Sequence, residues 1–142
     1  MLSNTRKYFR QIMDALNYKE HPDAFNDTNI GSSVLDRSYH VSYLSFNGID
    51  KAQDTQAADV GIAVQVFFKG FTMAANRMDE AMDLAEVIIG QAVSPERVFN
   101  NNLDITGCVF DSMVVEELDA TNQKSLVVNI GFLVRVNFCL ND

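Results

Sequence analysis

Over residues 126–140 every second position is apolar: Leu126, Val128, Ile130, Phe132, Val134, Val136, Phe138 and Leu140. Successive side chains of a strand point to opposite faces, so this period of two predicts a strand with one buried face. Asn129, Gly131, Arg135 and Asn137 leave its other face partly wet. Residues 105–118 read as the partner strand, joined to it by a loop over 119–125. Two more strands are predicted over 39–47 and 60–71, the second from the alternation of Val60, Ile62, Val64, Val66 and Phe68. Between them the polar stretch DKAQDTQAAD (50–59) is too long for an ordinary hairpin loop and predicts a mobile, projecting tip.

Elsewhere the spacing changes to three and four. Leu2, Phe9, Ile12, Met13 and Leu16 share one face of a predicted helix over 2–16, and Arg6, Lys7 and Arg10 crowd its first half. Met78, Ala81, Met82, Ala85, Ile88, Ile89 and Ala92 form the buried stripe of a second helix. Asn76 is its expected cap, with Asp79 and Glu80 in a first turn whose dipole favours carboxylates. Ser94 before Pro95 predicts a short further turn of helix, ended by residues 100–102. Residues 19–38, with Pro22, Gly31 and many Asn, Asp and Ser, read as a long irregular crossing. The sum is an α+β fold in the order α-β-β-α-β-β: a mostly antiparallel sheet of about four to five strands against two helices, closing in a long hairpin. Its 142 residues suit a single domain.

Composition narrows the function classes. With 19 acids against 11 Lys plus Arg, the net charge of -8 repels phosphate, so tight nucleic-acid binding is not expected, whereas an acidic wall past which DNA slides is compatible. The N-terminus lacks the apolar core of a signal peptide, and no apolar run is long enough to span a bilayer, so a soluble protein with no membrane partner is expected. Cys108 and Cys139 are read as reduced, and neither they nor His21 and His40 have metal-ligand spacing. No cofactor is expected.

No phosphate loop, nucleophile elbow, paired-cysteine or metalloprotease motif occurs, so an enzyme is not expected. Glu116 and Glu117 are adjacent on a strand and point to opposite faces; they read as solvated strand-end charges rather than an acid and base pair. Asp79, Asp83 and Glu86 read as a hydrated helix surface, or as a pore-facing or interface stripe complementary to Arg6, Lys7 and Arg10 of an adjacent copy. Asp50, Lys51, Asp54 and Asp59 in the tip, and Asp119 and Lys124 in the loop over 119–125, are candidate contact residues. The six methionines read as core filler.

Length poses a geometric question. Sixteen extended residues, 125–140, span roughly 50 Å, against a diameter of about 40 Å for a globule of this size. Either the strand bends, with a bulge at Gly131, or the hairpin leaves the monomer as an apolar arm that a neighbouring subunit must cover. The second is the expectation here.

In the order of its elements, in LSNTRKYFRQIMDAL, in DVGIAVQVFFKGF passing into MDEAMDLAEVII, and in the closing SLVVNIGFLVRVNF, the chain resembles the tail terminator, or tail completion, proteins of long-tailed bacteriophages. The resemblance covers most of the chain and lies in architecture rather than in a diagnostic motif. It implies a homo-oligomer, a hexameric ring that caps the tail tube, stops its growth and offers a docking surface to the head connector or completion protein, with DNA only as passing cargo. It also implies a place in the tail neck of the virion, reached from the host cytoplasm during assembly. A tail-tube or head-completion subunit is the near alternative, and a small-molecule-binding α+β module is the alternative of a different class.

Overall fold

The computed structural model describes residues 2–25, 36–49, 55–69, 74–120 and 123–139. The elements run α1 (Asn4–Ala15), β1 (Lys19–Glu20), β2 (Ser38–Ile49), β3 (Thr55–Phe68), α2 (Ala74–Ala92), α3 (Pro95–Asn100), β4 (Ile105–Ala120) and β5 (Gln123–Cys139). The α+β class holds, with a five-stranded sheet in the order β1-β2-β3-β5-β4. All pairings are antiparallel except the short β1–β2 contact, where Lys19 lies beside Ser38 and Glu20 beside Tyr39.

The closing strand is not an arm. β5 sits inside the sheet, paired with β3 from Thr55 opposite Cys139 to Phe68 opposite Leu126, and with β4 on its other side. Leu126, Val128, Ile130, Phe132, Val134 and Val136 are all buried in one core with Phe9, Ile12 and Met13 of α1 and Ala81, Ala85 and Ile88 of α2. The rings of Phe9 and Phe132 lie 4.9 Å apart. The subunit's own helices therefore cover the face that was expected to need a neighbour. The size comparison failed because it assumed an isometric globule, whereas β3, β4 and β5 are all long and lie side by side.

The expected bend exists, one strand over from its predicted place. The β4–β5 register slips between Phe110 and Ser112, opposite Phe132 and Gly131, so β4 carries the extra residue, Asp111. A second slip between Tyr43 and Ser45 inserts Leu44 into β2, opposite Ile62 and Gly61 of β3. Both glycines permit close approach: a Cβ on Gly61 would lie 2.5 Å from Ser45 Oγ, and one on Gly131 2.8 Å from Ser112 Oγ.

Other elements differ at their ends. α2 starts at Ala74, so Asn76 lies inside the helix rather than at its cap; Ala74 and Ala75 are strong helix formers and extend it backwards. Met82, assigned above to the buried stripe, is 41% exposed, because Ala81 and Ala85 already face the sheet and Met82 falls to the flank. Asp59 and the ends of the segment 119–125 are strand, with Asp119 opposite Lys124 and Ala120 opposite Gln123. Strand propensity is context-dependent and a backbone ladder can carry polar residues to its end, so polarity there did not mark a loop. Of the tip, Asp50, Lys51 and Asp54 lie outside the described residues, as do 26–35 of the crossing and Leu140.

On the face away from the helices, Phe25, Phe67, Leu118 and Val127 form a small second cluster near one end of the sheet, with Phe25 stacked on Phe67 at 5.3 Å. Phe132→Ala should destabilise the fold by about 3–5 kcal/mol, since it empties the contact between β5 and α1, whereas Met82→Lys should change stability by less than about 0.5 kcal/mol. Urea unfolding monitored by circular dichroism measures both.

Candidate functional site

The strand order leaves two sheet edges, one on β2 and one on β4. β1 covers β2 only at Ser38 and Tyr39, and the His21 amide extends this cover by donating to the Tyr39 carbonyl at 2.6 Å. Beyond that point no strand among the described residues pairs with the outer side of β2. The outer side of β4 is likewise unpaired among the described residues. An unpaired edge presents a row of backbone donors and acceptors that can template another strand.

Large apolar side chains stand out on both edges. On β2, Leu44 is 64% and Phe46 51% exposed; on β4, Val109, Phe110 and Val114 are exposed; on α3, beside the start of β4, Phe99 is 87% exposed. The bulge at Leu44 keeps Tyr43 and Phe46 on one face, with their rings 5.2 Å apart. None of these apolar residues was singled out from the sequence. For β2 the signal was there as a break in phase: the adjacent apolar pair Tyr43–Leu44 interrupts the alternation at the position where a residue is inserted.

Charge differs between the edges. Arg6 of α1 lies on the β2 side: it donates to the Val41 carbonyl at 3.2 Å and its guanidinium stacks over the Tyr43 ring at 4.6 Å. Arg10 pairs with Glu20 at 2.7 Å and this hydrogen bond pulls the Glu20 carboxyl below its usual range. Lys7 is exposed. β4 carries Asp111, Glu116 and Glu117, all exposed, and the described ion pairs include none of them. Glu116 and Glu117 face opposite sides of the sheet, opposite Val127 and Leu126.

The remaining candidates are not brought to these edges. Asp79, Asp83 and Glu86 lie exposed on α2, opposite its buried face. Asp59 is bridged by Arg135 at 2.9 Å within the sheet. Asp119 and Lys124 face each other across the end of the β4–β5 hairpin.

Two concavities flank α3. A polar one of about 470 Å³ is lined by Tyr8, Gln11, Gln91, Arg97 and Asn101. Its polar groups are largely satisfied internally: Tyr8 donates to the Ala92 carbonyl, Arg97 to Gln91, and Asn101 ties the end of α3 to β4 by donating to the Val98 and Ile105 carbonyls and accepting from the Leu103 and Ile105 amides. The other, of about 620 Å³, is an apolar groove between α3 and the start of β4, lined by Val93, Pro95, Val98, Phe99, Ile105 and Cys108. Burial pushes the free Cys108 thiol up to about 12, so at neutral pH it is a protonated, unreactive wall residue. Among the described residues no three His, Cys, Asp or Glu side chains converge to hold a metal ion, and no helix is long and apolar enough to cross a membrane.

No family model matches the chain, and no curated protein matches it.

Burial holds Tyr8 and Tyr39 protonated well above the ordinary tyrosine value, as it does Cys108. These groups ionise earlier in the unfolded chain than in the folded one, so their contribution is intact below pH about 8 and is lost as pH rises towards the folded values. Unfolding free energy from urea titrations should therefore fall between pH about 8.5 and about 10.5. Cys108→Val should make that slope shallower by up to about 1.4 kcal/mol per pH unit.

Proposed function

We propose that this chain is a structural assembly subunit whose copies join edge to edge into a closed ring. The carrying observation is that, among the described residues, the outer side of β4 and that of β2 beyond Tyr39 pair with no strand. β2 and β5 run in one direction, and β3 and β4 in the other. The β4 edge of one copy and the β2 edge of the next, laid side by side without inversion, are therefore antiparallel, the favoured arrangement for a new ladder. A contact between two different patches of the same molecule is head to tail, and it closes into a ring when the rotation per copy divides a full turn.

Three features support this over a monomer with two blunted edges. The bulges at Leu44 and Asp111 flank the same transverse row, Tyr43–Ile62–Phe132–Phe110, so both edges carry an inserted residue at that level, although β4 has a further one at Thr106. Apolar side chains stand exposed along both edges. Basic groups flank one edge and acids line the other.

The resemblance to tail terminator proteins gives the setting: a ring in the neck of a long-tailed bacteriophage that caps the tail tube, ends its polymerisation and presents a surface to the head connector. In this reading the chain has no catalytic role, and DNA passes the ring without being specifically bound. The net charge of -8 suits such a passage. Sedimentation of the purified chain should show a discrete closed oligomer, and electron microscopy of a mixture with cognate tail tubes should show added density at one tube end. Long hollow fibres grown from the chain alone would identify a tube subunit instead, and a monomer that leaves tube ends bare would overturn the reading.

A further inference from the structure

We infer that the groove between α3 and β4 is a receptor for Phe46 of a second copy of this chain. The inference rests on the edge-to-edge reading and adds which side chain fills which groove.

The strand registers supply the alignment. Phe46 lies opposite Val60, Val60 opposite Val134, and Val134 opposite Cys108, so Phe46 and Cys108 are the two ends of one row across the sheet. Residues paired across a ladder share a face, and Val60, Val134 and Cys108 all belong to the helix-side core. Phe46 therefore stands on the helix side at one edge, and the groove opens on the helix side at the other, at the same level. When a second copy docks its β2 against β4 with rows aligned, its Phe46 arrives beside Cys108, under Val98 and Phe99.

Two further features select this register. The inserted residues Leu44 and Asp111 both adjoin the row Tyr43–Ile62–Phe132–Phe110, so aligned rows bring bend to bend. In the same alignment Arg6, stacked on Tyr43, comes to the level of Asp111, which follows Phe110 and has no described ion pair. A slip by one residue would turn Phe46 to the opposite face and leave the groove empty. The occupant is also chemically suited: an aromatic ring half in water and a groove walled by a nearly bare Phe99 each lose apolar exposure on docking.

Phe46→Glu disables the inserted side chain and leaves the groove intact, whereas Phe99→Glu does the reverse. Both sites are exposed, so melting temperatures should match the wild type. By sedimentation each variant alone should associate about thirtyfold or more weakly than the wild type. An equimolar mixture should form dimers and nothing larger, because one good groove and one good Phe46 remain to meet once. If the wild type forms its oligomer and either variant does so equally well, the groove assignment is overturned while the ring reading stands. If both variants are monomeric and their mixture is too, the two side chains do not meet and the assignment falls. A monomeric wild type overturns both.

Discussion

The structure depends on the burial of one face of β5 against two helices. β5, like β3, has long partners on both sides, and its even-numbered side chains from Leu126 to Val136 share one core with residues of α1 and α2. Removing these residues from water is the main favourable term available to the fold, since surface ion pairs such as Arg10–Glu20 and Arg135–Asp59 are exposed and contribute little. The same burial decides where function cannot be. A face already packed by the chain's own helices has nothing left to offer a partner, which moves the search for contacts from the sheet's covered face to its two edges.

The edges inherit their shape from that core. Because β3 and β5 pair continuously, any mismatch between the bent sheet and its outermost strands must be absorbed by β2 and β4: Leu44 and Asp111 are inserted beside the same row, and β4 carries a second inserted residue, Thr106, nearer its start. Gly61 and Gly131 sit opposite the insertions, where a Cβ would collide with a serine hydroxyl. Bulges often protect edges by twisting them away from neighbours. Here the two bulges coincide, so they spoil pairing with a flat strand yet leave one edge matched to the other. In the proposed ring the arrangement would discriminate against indiscriminate sheet extension and in favour of a second copy of the same shape.

Much of this was legible in the sequence. The period-two runs gave β3 and β5 their identity, and the three-and-four spacing gave α1 and α2 theirs, because burial of one face imposes those periods directly. The Ser94–Pro95 start of α3 was legible for a local reason: the Ser94 hydroxyl accepts from the Arg97 amide, a contact within four residues. What could not be read was strand order. Whether β5 ends at an edge or at the centre depends on which strand pairs with it across the sheet, and Val128 reads as apolar in either case. The exposed Leu44, Phe46 and Phe99 were hidden for the same reason, since an apolar residue in sequence carries no label for the side of the sheet that no helix covers. The charged candidates fared unevenly. Arg6 and Glu116 reached opposite edges, whereas Asp59 turned out to have an internal partner 76 residues away in Arg135.

Self-association of a chain with a net charge of -8 has to be reconciled with like-charge repulsion. At physiological ionic strength the screening length is about 8 Å, so charges spread over two subunits are mostly hidden from each other, and the balance is set by groups that meet within that distance. In the proposed alignment Arg6 comes to the level of Asp111, an attraction. In most other orientations acidic surfaces such as Asp79, Asp83 and Glu86 of α2 face each other, a repulsion. The global charge and the local pattern then act together: the first disfavours random contact and the second spares one. Charges of this exposed kind steer and select more than they hold. In the proposed ring the strength of the contact would come from apolar burial and new backbone hydrogen bonds along the edge, with charge deciding which edge finds which.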